Sequence, residues 1–120
     1  MYDPYEHAEA LGLTVIHRPI RTENGRWYPQ HNLIVIRDGL RRVHDRSALA
    51  HEVAHAALGH QDSRPKHEVQ ADRLAAENLI DLDQCVELMK WTPDCARLAR
   101  ELDVSTRLAR VFLLTHRLAG

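Results

Sequence analysis

His51-Glu52-Val53-Ala54-His55 is the stretch that decides how this chain reads. On an α-helix, residues four apart lie one above the other on a single face. The spacing therefore brings two imidazoles to one metal ion and sets a carboxylate beside them. Two neutral histidines hold zinc, and the neighbouring Glu takes a proton from water that the metal activates. Random placement of nine His and eight Glu over 120 positions would produce roughly 0.04 such pentapeptides. That is too few for chance to be the working assumption.

The motif helix is expected from about Asp45 to Leu58, with Gly59 as its C-terminal stop. Leu49, Ala50, Val53, Ala54, Ala57 and Leu58 form one apolar arc on its wheel. His51 and His55 fall at the edge of that arc, and Glu52 a little beyond. Upstream, Pro4 opens a short helix to Leu11, stopped by Gly12. Leu13 to His17 reads as a strand. Asn24-Gly25 signals a hairpin between Ile20–Thr22 and Arg26–Tyr28. After a turn from Pro29 to Asn32, Leu33 to Arg37 reads as a further strand. The first part is thus a largely antiparallel, three-stranded sheet, and everything after Leu40 looks helical. The fold class is α+β.

Zinc hydrolases use three protein ligands, so a third must be found. His60 is set aside, because Gly59 turns the chain just before it. It is also out of register with the metzincin zinc pattern: Leu58 and Gln61 stand where that pattern has Gly and His. Ser63 and Pro65 mark the start of the next helix, which runs to Ile80. Glu68, Asp72, Ala75 and Leu79 share one stripe of its wheel, with Ala71 and Ala76 alongside. Two carboxylates on a buried face would cost several kcal/mol if unpaired, which a metal and a ligating histidine would offset. Glu68 is therefore the expected third ligand. Asp72, one turn later, is placed to accept the free N–H of a ligating imidazole; a salt bridge or buried cap is its alternative role. His67 is rotated away from that stripe and is the weaker candidate. Glu77, on the opposite side near Arg73 and Lys66, reads as a solvated surface residue. Small residues at Ala71, Ala75 and Ala76, facing Ala50, Ala54 and Ala57, would let the two helices approach closely.

At 120 residues and 13.8 kDa the chain is read as one unit: a domain over residues 1–80 with a helical extension, 81–120, packed on it. A formal charge of −1 supplies no overall basic field for nucleic acid or membrane. Cys85 and Cys95 are too few for a disulfide framework and are expected as reduced thiols. The opening residues lack the pattern of a signal peptide, and no apolar run is long enough to span a bilayer. A soluble, cytoplasmic protein is expected.

Asp81 and Asp83 can open a helix to Trp91, Thr92-Pro93 another to Leu102, and Ser105 a last one to Arg117. Leu98-Ala99, Leu102, Val104-Ser105 and Leu108 have the rhythm of a helix-turn-helix. Arg97, Arg100, Arg107, Arg110 and Arg117 add positive charge, which Asp94, Glu101 and Asp103 dilute. Val111 to Leu114 argue that the last helix is largely buried. DNA binding is possible but not favoured over a role in the core or in recognising a protein partner.

The combined pattern resembles the ImmA/IrrE family of metallopeptidases. It comprises His51-Glu52-x-x-His55 with Leu58-Gly59-His60, then Glu68-x-x-Ala71-Asp72 with Ala75 to Leu79. Gly25 to Tyr28 and the Leu33 to Arg37 strand extend the similarity upstream. The resemblance implies a small zincin-like domain with gluzincin-style ligands: His51, His55 and Glu68 on zinc, and Glu52 as catalytic base. It also implies a substrate, a helix-turn-helix repressor of a phage, mobile element or stress regulon. Leu79-Ile80-Asp81-Leu82 departs from the family's usual Leu-Leu-Met-Pro, so the connection into the C-terminal helices is an expected point of difference. The competing reading is a non-catalytic regulator, an anti-repressor or DNA-binding partner, with a structural or vacant metal site. Retention of Glu52 favours the enzyme, since a structural site needs no base. The Leu33 to Arg37 strand is the candidate for docking an extended substrate by strand addition, with an internal sheet role as its alternative. Tyr28, His44 and Arg42 are candidates for stabilising an oxyanion on chemical grounds alone.

Overall fold

Residues 1–118 are described by the structure, a computed structural model. The elements follow in the order α1 (Pro4–Ala10), β1 (Thr14–Arg18), β2 (Gly25–Tyr28), β3 (Leu33–Arg37), α2 (Arg42–Ala57), α3 (Pro65–Leu79), α4 (Leu82–Met89), α5 (Cys95–Leu102) and α6 (Thr106–Thr115). A single 3₁₀ turn, Pro29–His31, joins β2 to β3. The fold is α+β, as expected. Side-chain oxygens cap four of the helices: Asp3 for α1, Asp81 for α4, Asp94 for α5 and Ser105 for α6. Each satisfies a backbone N–H that the first turn leaves free. For α5 the cap falls at Asp94 rather than at Thr92-Pro93; the Thr92 hydroxyl instead accepts from the Asp94 N–H.

The sheet departs from the expected arrangement. Its order is β1-β3-β2, with β1 parallel to β3 and β2 antiparallel to it, so it is mixed rather than antiparallel throughout. Asn24-Gly25 does not close a hairpin. A type I′ turn needs positive φ at both central residues, and neither residue is among those with positive φ. Instead Ile20–Thr22 is irregular, and residues 19–24 carry the chain across the end of β3. The true turn comes after β2, where Asn32 adopts the left-handed conformation, φ 47°. β3 is therefore the central strand, with both edges hydrogen-bonded, and cannot accept a further strand. Its uninterrupted Leu-Ile-Val-Ile run fits that position, with Ile34, Val35 and Ile36 all buried.

Helix α2 divides the interior into two cores. Leu49 and Val53 pack with Ile34, Ile36 and Ala8 on the sheet side. Ala50 and Ala54 pack with Ala71, Ala75, Ala76 and Leu79 on the other side. Burying each Leu or Val contributes roughly 1.5–3 kcal/mol, whereas the alanines contribute mainly close approach of α2 and α3. The apolar arc stops short of its expected length: Ala57 and Leu58 are exposed where α2 runs past the sheet. Cys85, Leu98, Leu108 and Phe112 belong to the same core as Ala50 and Ala71, so the interior continues across residue 80 without a break. Arg46 and Ser47 of α2 fasten the α5–α6 turn. The Arg46 guanidinium donates to the carbonyls of Asp103 (2.8 Å) and Tyr2 (3.2 Å), and the Ser47 hydroxyl accepts from the Ser105 N–H (3.0 Å). Cys85 and Cys95 are both free. Among the described residues, no helix is long and apolar enough to cross a membrane.

Candidate metal centre

The i, i+4 spacing on α2 stacks the His51 and His55 rings edge to face, centroids 4.7 Å apart. Helix α3 lies across them and delivers Glu68. Its carboxylate spans the pair, with Oε2 2.8 Å from His51 Nε2 and Oε1 3.1 Å from His55 Nε2. Both Nε2 atoms therefore converge on one carboxylate. One helical turn on, Asp72 Oδ1 accepts from His51 Nδ1 at 2.8 Å. The structure thus brings together all five residues singled out in the sequence. His51, Glu52 and His55 are buried, Asp72 is partly buried, and Glu68 is open to a cleft.

Two carboxylates are in reach of the imidazoles. His51, Glu52 and His55 present donor atoms all within 4.8 Å of one another, and Glu68 touches both rings directly. Glu68 is the better third donor, because each of its oxygens already meets one Nε2. Glu52 takes no part in those contacts. It lies instead against β2, where a Cβ built on Gly25 would come within 3.1 Å of Glu52 Cγ and 3.0 Å of Ile36 Cδ1. Gly25 is thus small because the chain passes this close to Glu52. Two imidazole nitrogens and a carboxylate oxygen, with a cleft on the open side, form a donor set suited to zinc.

The electrostatics separate the two glutamates. Burial raises the Glu52 carboxyl to about 7, resisted by the charge of His51 and reinforced by Glu68. For His51, burial opposes protonation, but the Asp72 hydrogen bond and the charges of Glu52, Asp72 and Glu68 outweigh it and hold the ring above its ordinary value. Burial and the neighbouring His51 push His55 below its ordinary value, toward the neutral form that binds metal.

The cleft encloses about 890 Å³. β2 forms one wall and the start of α6, Ser105 to Arg107, another. Tyr28 and His44 line it, whereas Arg42 is paired with Asp103 at 2.7 Å, outside the cleft. Two residues at the site escaped the sequence reading. Arg107, one of the basic residues of the helix-turn-helix-like segment, reaches Asp72 at 3.3 Å and lines the cleft. His60 lies behind His55, its Nδ1 2.9 Å from His55 Nδ1. Its sequence signal is Gly59, whose left-handed turn returns the chain over the end of α2. His67 stacks on His60 rather than reaching Glu68, and Glu77 pairs with His116 on the surface.

A small α+β domain whose motif helix packs against a second, carboxylate-bearing helix has the architecture of a zincin-like domain, with a His-Glu-His cluster that could hold a metal ion. Over residues 8–114 the chain matches the family model described as the IrrE N-terminal-like domain, a peptidase family, and it belongs to that family. No curated protein matches it.

Proposed function

We propose that this protein is a zinc-dependent endopeptidase that cuts a helix-turn-helix repressor. His51, His55 and Glu68 hold the metal, Glu52 is the base, and Asp72 orients His51. The observation that carries the reading is the convergence of both Nε2 atoms on the Glu68 carboxylate, with the buried Glu52 beside them. Held by these residues, zinc would supply Lewis acidity for a carbonyl and for the deprotonation of water. Glu52, buried beside the two imidazoles, is placed to take that proton and hand it to the leaving amine.

β2 replaces β3 as the docking edge. One of its edges pairs with β3, and its residues line the cleft. An extended substrate segment can therefore add to β2 by backbone hydrogen bonds. Tyr28 and His44 remain the candidates for the oxyanion. The repressor class of substrate rests on family membership. The test is incubation with a repressor encoded beside this protein, with and without chelator. Wild type cleaves it, while Glu52→Gln retains zinc and loses activity by ~10²–10⁴. A Glu52→Gln protein that cuts at the wild-type rate rules out the base.

A further inference from the structure

We infer that His60 is a positioning residue for the metal: it fixes the tautomer and orientation of His55 through a hydrogen-bonded chain that begins at Gln70. The inference rests on His55 being a ligand. A metal-binding imidazole presents one nitrogen to the ion and donates the other N–H to a fixed acceptor. For His51 that acceptor is Asp72. For His55 the atom at hydrogen-bond distance is His60 Nδ1, at 2.9 Å, on the other side of the ring from Glu68.

The direction of the chain follows from its far end. Gln70 Oε1 lies 2.9 Å from His60 Nε2, and an amide oxygen only accepts, so that nitrogen carries the proton. His60 Nδ1 is then left with its lone pair and accepts from His55 Nδ1–H. His55 Nε2 in turn keeps its lone pair on the side of Glu68. A half-buried carboxamide on α3 thus sets which nitrogen of an α2 histidine is free for metal.

The backbone explains how His60 arrives there. Gly59, at φ 71°, follows the end of α2. The His60 N–H bonds the His55 carbonyl (3.0 Å) and the Gly59 N–H bonds that of Ala56 (3.1 Å). That pair of bonds is a Schellman cap, which folds the second residue past the helix back over its last turn. In most such caps the contact made there is apolar; here it joins two imidazoles. His60 is held on every side. Its carbonyl accepts from Trp27 Nε1 at 3.0 Å, and the His67 ring stacks on it at 4.0 Å. His67 is itself tied to Asp62 at 2.7 Å. At 5% exposure, a polar ring buried this fully and bonded at both nitrogens is built into place.

The test titrates zinc alone against a chromophoric chelator. Wild type binds zinc. His60→Ala binds it ~10–100-fold more weakly, the loss expected when an outer hydrogen-bond partner of a ligand is removed. His60→Asn, whose amide oxygen can stand where Nδ1 stood, recovers affinity to within a few-fold of wild type. Nitrogen-15 spectra of zinc-loaded wild type show the His55 Nδ1 proton in slow exchange, a readout that needs no variant. Equal zinc affinity for folded wild type and His60→Ala overturns the inference, as does a His55 Nδ1 proton that exchanges freely. A folded His60→Asn as weak as His60→Ala overturns it too. Wild type that binds no zinc instead overturns the proposed activity, and this inference with it.

Discussion

Replacing Glu52 by Gln should make the metal-stripped protein more stable, and increasingly so as pH rises. Glu52 is only 7% exposed, and burial lifts its carboxyl from 4.5 to about 7. Below about pH 4.5 the folded and unfolded chains both hold the proton, so the group adds no pH dependence. Between there and pH 7 the unfolded chain releases it while the folded chain keeps it. Stability therefore falls as pH rises through that window. Above about 7 both states are ionised and the penalty is constant. The gap between 4.5 and about 7, at ~1.36 kcal/mol per pH unit, is worth on the order of 3 kcal/mol. An amide has no proton to lose and escapes the penalty. Urea unfolding in chelator at a series of pH values measures it, because groups not coupled to Glu52 cancel between wild type and variant. The variant's advantage should grow across the window and then level off. A difference that stays flat, or that grows as pH falls, would refute the claim that the fold strips this carboxylate of water.

Two substitutions on α3 separate the ligand from its surface neighbour: Glu68→Ala should lower bound zinc, measured by metal analysis, and Glu77→Ala should not. A reversed result would unseat Glu68. Gly25→Ala should hold zinc but turn over more slowly, because the added methyl meets Ile36 and Glu52 at 3.0–3.1 Å and overpacking of this kind costs ~1–3 kcal/mol. Unchanged turnover would show that Glu52 does not depend on that close approach.

The parts of the fold that were legible in the sequence are those set by short spacing. Four-residue intervals on α2 and α3 put His51 over His55 and Glu68 before Asp72, and the structure brings these four side chains together. Glu68 and Glu77 are told apart by the helical wheel alone, which puts one with the alanines of the packed face and the other opposite, without knowledge of the partner helix. What failed depended on distant neighbours. Strand order cannot be read from Asn24-Gly25 alone, since a glycine that avoids a crowded side chain looks the same in sequence as one that turns a hairpin. Gly25 is small because of Glu52, 27 positions later. The direction of β1 against β3 likewise depends on a crossing loop with no hydrophobic period. His60 was not legible because a glycine turn after a helix leads the chain away as readily as back; here the Schellman geometry sends it back. Arg107 could not be placed without knowing that α6 packs on α3 and points its first turn into the cleft.

The bonds from Arg46 and Ser47 to the α5–α6 turn bear on how this protein can be divided. They anchor the last two helices about one turn ahead of His51, and those helices supply Leu98, Leu108 and Phe112 to the same interior as Ala50 and Ala54. A shorter chain ending after α3 would bare the underside of the motif helix and leave a buried guanidinium without one of its two carbonyls. Trimming does not yield a minimal version of this site, and grafting a foreign module in place of the final helices means rebuilding the floor beneath the histidines.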